Sequence, residues 1–115
     1  MSNAAMSVTR LVSADVLAAS LLPDGVSPAL ATASTALVEG AGADRSIEVG
    51  LWEAGPGTDT DTEVDEVFLV LAGSGTVTFQ DGSAIELRPG VLVRLVAGDR
   101  TTWTISRRLR KLYLA

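Results

Sequence analysis

The chain of 115 residues has no histidine and no cysteine, and only 4% of its residues are aromatic. The absence of cysteine excludes disulfides, thiolate nucleophiles and metal sites with sulfur ligands. The absence of histidine removes the commonest general base and the commonest metal ligand together. These two absences restrict the possible chemistry more than any residue that is present, and we expect no cofactor.

Long apolar segments and a basic charge balance are also missing. The longest apolar run, 67–72, is far shorter than the ~20 residues that a membrane helix needs. The formal net charge of −5 argues against nucleic acid as a partner, because such proteins carry a basic surface. The N-terminus does not have the basic and then apolar pattern of a secretory signal. We therefore expect a cytoplasmic protein that binds neither membranes nor nucleic acid.

The length predicts a single domain, and the 47% hydrophobic content can fill one core. Residues 1–5 resemble the remnant of an expression tag and are set apart from the fold. We interpret residues 6–34 as an N-terminal arm and residues 35–115 as the domain proper. Within the arm, residues 13–20 predict two turns of helix with Ser13 as the N-cap.

The strongest β pattern in the chain lies between residues 62 and 79. A block of branched and aromatic residues beginning at Glu66 is followed by Gly73-Ser74-Gly75 and by a second alternating block. This pattern predicts two antiparallel strands joined by a glycine-containing hairpin turn. Glu66 stands at the mouth of the first of these strands.

Short strands separated by glycine and proline make up most of the remaining chain. Alternation or strand-sized apolar runs predict them over 35–39, 46–53, 84–87, 91–96, 101–106 and 109–114. Asp81-Gly82 is typical of a tight turn, and residues 58–65 are interpreted as a polar, acidic loop. The fold class is therefore all-β, a sandwich or barrel with a short N-terminal helical segment.

Two motifs in this region resemble those of the cupin superfamily, which consists of small jelly-roll β-barrels with a pocket inside. Glu66 and Gly73, six residues apart, match the second half of the first cupin motif. Gly90 and Gly98 fall on the glycines of the second motif. The resemblance implies that residues 35–115 form a cupin-type jelly-roll β-barrel.

A narrower resemblance covers roughly residues 35–114. Gly50-Leu-Trp-Glu53, Pro56-Gly57 and Thr102-Trp103 are similar to segments of small single-domain cupins related to the cupin domain of (S)-ureidoglycine aminohydrolase. The histidine positions of the cupin motifs hold other residues here: Asp59 and Asp61, or Thr60 and Thr62 at the shorter spacing, and Thr101. A cupin metal centre combines imidazoles with one carboxylate, and only the carboxylate is left, so we expect no metal.

Glu66 is the only candidate catalytic residue. Strand alternation puts it on the same face as Phe68 and Val70, towards the inside of the barrel. A carboxyl buried there would be a candidate proton carrier. Alternatively, Glu66 lies near the rim as a solvated charge or pairs with an arginine such as Arg94.

The other candidate pocket residues are aromatic or polar. Trp52 and Trp103 are the only tryptophans, and either one could form a flat wall for a ligand or simply fill the core. Thr101 shares a face with Trp103. Arg94 stands alone in an apolar strand and needs a carboxylate partner, a subunit interface or an anion in the pocket. The predicted pocket thus comprises Glu66, Phe68, Thr101, Trp103, Trp52 and Arg94.

Two charged runs have simpler interpretations. Five carboxylates lie between Asp59 and Glu66 and could bind a hard cation, but a solvated acidic loop fits better because the pattern of a calcium loop is missing. The basic run 107–111 is interpreted as a charged edge strand that resists pairing with other chains.

Three functions remain open. The first is a cupin-type protein that binds a small molecule in its barrel and lacks the histidine metal site. The second is a metal-poor enzyme resembling ureidoglycine aminohydrolase, which acts on a small polar substrate through Glu66. The third is a structural or regulatory homodimer with a filled barrel. A homodimer is expected in any case, because small barrels commonly bury apolar outer strands against a second copy.

Overall fold

The computed structural model describes residues 10–39 and 47–115, so the expression-tag interpretation of residues 1–5 lies outside the described residues. The described part is mostly β-strand, as predicted, with one short 3₁₀ helix at Pro28–Leu30. The strands are β1 (Leu22–Pro23), β2 (Ala33–Val38), β3 (Val49–Ala54), β4 (Gly57–Thr62), β5 (Glu66–Phe79), β6 (Ala84–Leu87), β7 (Leu92–Leu95) and β8 (Arg100–Leu114). No helix in the described part of the chain is long and apolar enough to cross a membrane.

Strands β5 and β8 form the centre of the sheet and pair with each other along most of their length. The other edge of β8 pairs with β4 in its first half and with β3 in its second half. The other edge of β5 pairs with β7 and then with β6. The hydrogen-bonded path ends at β1 and at β6. The sheet therefore curves around the core as a jelly roll without closing into a complete barrel.

The predicted hairpin at Gly73-Ser74-Gly75 is wrong, because β5 runs through these residues as one strand. The register between β5 and β8 shifts here, which marks a bulge rather than a turn. Gly73 has a φ of +86°, and a Cβ at this position would lie 2.1 Å from the carbonyl oxygen of Arg108. Glycine is needed where the two backbones meet and bend together.

The C-terminal segment is also one strand rather than two. The predicted strands 101–106 and 109–114 are joined in β8, which has partners on both edges. The prediction that the basic run 107–111 forms an edge strand is therefore wrong.

The predicted helix over residues 13–20 is not present. The segment contains a turn in which Ala18 N–H donates to the carbonyl of Asp15, and Leu17 N–H donates to the Asp15 side chain. Two turns of helix are too short to form without packing, and Leu17 is 61% exposed. A side chain that binds its own backbone favours a turn under these conditions.

The predicted acidic loop 58–65 is a strand over most of its length, β4, which pairs with the first half of β8. Aspartate is uncommon in strands, but the free edge of β8 offers a complete ladder of backbone partners, and tertiary pairing overrides the local preference.

The outer face of the sheet carries an ion pair network around Glu53. Arg108 Nε and Arg110 Nε lie 2.8 and 2.6 Å from the two carboxylate oxygens of Glu53. Arg110 also donates to the carbonyl of Val16 at 2.8 Å, which ties the arm to this face. Burial raises the pKa of Glu53, but the hydrogen bonds and charges of the two arginines outweigh burial and leave the pKa below its ordinary value.

Candidate ligand pocket

A cavity of about 450 Å³ lies between the inner face of the sheet and the N-terminal arm. Its volume falls within the range of small-molecule sites. Strands β3, β5 and β8 supply the floor, and β4 and the arm supply the opposite wall. Its charged and aromatic lining residues are Asp24, Asp59, Asp61, Glu63, Glu66, Lys111, Trp52, Trp103 and Tyr113.

The arm is fastened over one side of the cavity by contacts with β4. Ser27 Oγ donates to Asp59 Oδ2 at 2.6 Å, and this bond, followed by the N–H of Thr60, holds the pKa of Asp59 below its ordinary value. A Cβ at Gly57 would lie 2.7 Å from the carbonyl oxygen of Ala29. The absence of a side chain at Gly57 therefore lets the arm approach β4 this closely.

The floor of the cavity contains an ion pair between Lys111 and Glu66. Lys111 Nζ lies 2.6 Å from Glu66 Oε2, and the two side chains are 7% and 13% exposed. The same ammonium lies 4.6, 4.5 and 5.0 Å from the ring centroids of Trp52, Phe68 and Trp103. A carboxylate and three aromatic faces thus replace the water that Lys111 loses on burial.

A second buried carboxylate, Glu63, follows directly after β4. Its Oε2 accepts hydrogen bonds from Thr101 Oγ1 at 2.6 Å and from Trp103 Nε1 at 2.9 Å. These bonds fix the orientation of the indole, whose ring lies 5.5 Å from that of Trp52. Glu63 therefore orients Trp103, and Trp103 packs against Trp52 beside the cavity.

Tyr113 lines the cavity next to Trp52. Its hydroxyl donates to Glu48 Oε2 at 2.6 Å, and burial, followed by the neighbouring Glu48, raises its pKa well above the ordinary value. A Cβ at Gly50 would lie 2.4 Å from the Tyr113 ring, so the phenol lies directly over a strand residue without a side chain. Tyr113 is a neutral hydroxyl at any pH near neutrality.

Five of the six residues predicted for the pocket lie together. Trp52, Glu66 and Trp103 line the cavity. Phe68 lies beneath Lys111, and Thr101 binds Glu63 from the inner face of β8. The sixth, Arg94, is exposed on β7 and does not line the cavity. The partner of Glu66 is Lys111 and not Arg94.

Sequence reasoning missed Lys111 and Glu63. Lys111 was assigned to the basic run, although residues 101, 103, 109, 111 and 113 alternate onto one face of β8. Counting from Trp103 would have placed Lys111 inside. Glu63 stands among four other carboxylates, and nothing in the sequence distinguishes it from its solvated neighbours.

The acidic segment does not converge on a common point. Asp65 accepts from the N–H of Ala97, Asp59 from Ser27, and Glu66 from Lys111. Within residues 10–39 and 47–115, no three acidic side chains are grouped so that they could hold a metal ion. Because the Lys111 ammonium takes the place that a cation would need beside Glu66, the residues present do not fit the metal centre that the cupin motifs imply.

Comparison with known proteins gives the family. Residues 41–113 match the EutQ-like cupin domain, whereas no curated protein matches the sequence. The structure is similar to that of ethanolamine utilization protein Q from Salmonella typhimurium LT2, with 22% identity, a TM-score of 0.62, and coverage of 73% of this chain and 68% of that one. The EutQ protein of Clostridium difficile is 20% identical, with a TM-score of 0.64 and coverage of 76% and 64%.

A protein of unknown function from Pseudomonas syringae pv. tomato DC3000 has a TM-score of 0.73 and is 23% identical over 87% of this chain and 45% of its own. At such identities the structural likeness shows the fold alone, and that fold is the cupin fold. The family match covers more than half of the sequence and includes both motifs, so the resemblance to the cupin superfamily is confirmed. The chain belongs to the family of EutQ-like cupin domains.

Proposed function

We propose that the protein binds a small molecule in the cavity between the arm and the sheet, without a histidine metal centre. The observation that carries this proposal is an open cavity of about 450 Å³ whose walls combine two tryptophans with charged groups held in place. Binding sites for small molecules typically pair apolar walls with a few fixed polar groups.

The rigidity of the lining supports the same function. Glu63 orients Trp103, and Lys111 is held by Glu66 and by three rings. A site that is already ordered loses little conformational entropy when a ligand binds.

The proposal can be tested by thermal shift and by tryptophan fluorescence, with a panel of small acids, amines, ureides and sugars. Both tryptophans of the chain line the cavity, so a bound ligand should change the emission. The variant Ser34→Leu, which places a larger side chain in the cavity, should abolish these effects. Thr104→Leu, on β8 outside the cavity, should preserve them. A panel that leaves both signals unchanged in wild type would contradict the proposal.

The second candidate is a metal-poor enzyme of the kind implied by the resemblance to ureidoglycine aminohydrolase. Its support is the ion pair at the cavity floor, which puts an ammonium and a carboxylate 2.6 Å apart beside the space for a substrate. If a ligand of the panel is also turned over, Glu66→Gln should remove turnover while binding survives. Turnover that is unchanged in Glu66→Gln would eliminate the role of Glu66.

We also propose, as the sequence predicts, that the protein is a cytoplasmic homodimer. Val67, Leu92 and Leu114 are 36%, 66% and 45% exposed, and β5 pairs with both neighbouring strands at this edge. Exposed apolar side chains on neighbouring strands favour burial against a second copy, and the exposed Arg94 opposite Val67 would lie in the same interface. Light scattering should give twice the monomer mass, and Leu92→Glu should give the monomer. The open cavity argues against a structural or regulatory homodimer whose barrel is filled by side chains.

A further inference from the structure

We propose that the ligand of this cavity is a small organic cation, a primary amine on a short apolar body. The inference rests on the proposed binding function and narrows it to one chemical class. It is carried by the charge of the lining, by a carboxylate oxygen that is open to the cavity and has spare capacity, and by the apolar walls of the same cavity.

The charge of the lining is strongly one-sided. Among the described residues that line the cavity, five are carboxylates and one, Lys111, is a cation. Lys111 is already neutralised by Glu66 at 2.6 Å. The remaining carboxylates give the cavity an excess of negative charge, which concentrates cations and repels anions. A ligand that carries a carboxylate or a phosphate finds no free cation among the lining residues that the structure describes.

Glu63 provides the acceptor for an ammonium group. Its side chain is more than nine-tenths buried and lines the cavity, and its Oε2 accepts from Thr101 and Trp103. Its Oε1 accepts no hydrogen bond from any of the residues 10–39 and 47–115. Because no buried side-chain oxygen of the described residues lacks a hydrogen-bond partner, Oε1 is open to the cavity, where a charged N–H group of a ligand can donate to it.

The surroundings of Glu63 fit the rest of such a ligand. Trp103 donates to the carboxylate, Trp52 packs against Trp103, and Leu30 from the arm lines the same cavity. Flat apolar surfaces of this kind bind a ring or an alkyl chain. The protein already binds one of its own ammonium groups in this way, because Lys111 contacts both a carboxylate and aromatic faces.

The test uses three compounds that share one ring and differ in charge: benzylamine, benzyl alcohol and benzoate. Affinities are measured by calorimetry and by the emission of the two tryptophans. Benzylamine should bind at least about tenfold more tightly than either of the others, since a hydrogen bond to a charged group is worth that much. Higher salt should weaken the binding of benzylamine and leave that of benzyl alcohol unchanged.

The variant Glu63→Gln keeps an oxygen for Thr101 and Trp103 but removes the charge, so it should reduce the affinity for benzylamine roughly tenfold and leave that for benzyl alcohol unchanged. Glu86→Gln is the matched control, because Glu86 is exposed and remote from the cavity. Benzoate or benzyl alcohol binding as tightly as benzylamine would overturn the amine class and leave the binding function intact. If neither these three compounds nor the earlier panel of acids, amines, ureides and sugars contains a ligand, the proposed binding function fails, and the amine class fails with it.

Discussion

Arg110 and Lys111 are neighbours in the same strand, yet they belong to two different regions of the molecule. Strand alternation sends Arg110 to the outer face, where it shares Glu53 with Arg108 and holds the arm through the carbonyl of Val16. It sends Lys111 to the inner face, where Glu66 and three aromatic rings enclose it at the floor of a cavity.

The difference shows how the same type of ion pair can serve two purposes. On the outer face each carboxylate oxygen of Glu53 has its own arginine, and losing one cation leaves the other. On the inner face Lys111 and Glu66 depend on each other, because no other cation is placed to replace the lysine among the described residues lining the cavity. The outer network fastens the arm, and the inner pair gives the pocket its polar floor.

The largest expected effect is that of Lys111→Met, which leaves the Glu66 charge buried without its partner. We expect a loss of about 3–5 kcal/mol in the free energy of unfolding. Arg110→Met should cost less, about 1–2 kcal/mol, because Glu53 keeps Arg108 and the main further loss is the hydrogen bond to Val16. Urea denaturation measures both. The double variant Lys111→Met with Glu66→Gln should recover most of the loss, and equal costs for the two single variants would erase the distinction between the faces.

The next effect concerns the bulge that sets which residues of β5 point inwards. Gly73→Ala introduces a Cβ that would lie 2.1 Å from the carbonyl oxygen of Arg108, and we expect a loss of about 1–3 kcal/mol beyond the strain of its positive φ. Gly90→Ala is the control, because Gly90 has a φ of +95° and no atom within 4 Å of the added Cβ. Thermal unfolding that gives the same loss for both would show that the close contact is without consequence.

A smaller effect is the contribution of Glu53 to stability in acid. The pKa of Glu53 in the folded protein is below the ordinary value of 4.5, so as pH falls the unfolded chain binds a proton at this residue first. The contribution of Glu53 to the free energy of unfolding is therefore fully present above pH 4.5 and disappears as pH falls through the folded pKa. Its size is up to about 1 kcal/mol. Glu53→Gln should flatten the acid limb of a curve of unfolding free energy against pH. A limb of unchanged slope would mean that the outer pairs contribute nothing.

The smallest effect should come from the hydroxyl that fastens the arm over the inner face. Ser27→Ala removes the hydrogen bond to Asp59 and should slightly increase the quenching of tryptophan emission by acrylamide. Ser83→Ala removes a bond of the same length, 2.6 Å, to Asp81 in a distant turn and should leave quenching unchanged. Equal quenching in the two variants would show that Ser27 does not restrict access to the cavity.

The sequence predicts turns and strand ends well where a turn is isolated. Residues 84–87 are predicted as a strand and form β6 with the same bounds, and Asp81-Gly82 forms the turn before it. The prediction from sequence fails at Gly73, because a glycine with positive φ is compatible with a bulge and with a hairpin turn equally. The choice depends on the backbone of β8, more than thirty residues away in the chain.

The pocket is predictable to the extent that alternation along a strand is preserved. Glu66 and Trp103 are placed inside by that argument, and Lys111 would be as well. Glu63 and the lining supplied by the arm cannot be found in this way, because they depend on how separate segments pack. Arg94 shows the opposite error: a charge in an apolar strand was predicted to line the pocket, but the residue lies on the exposed face of β7, where a subunit interface stays a prediction.

The position of β8 has a consequence for synthesis. Strands β3, β4 and β5 all precede β8 in the chain, and each of them forms backbone hydrogen bonds with β8. Among the strands of residues 10–39 and 47–115, β3 pairs only with β2 and β8, and β4 pairs only with β8, so while the chain is being made β4 waits for β8 to emerge. Because these pairings are distant in sequence, the sheet should assemble late and slowly, with strand edges exposed in the nascent chain.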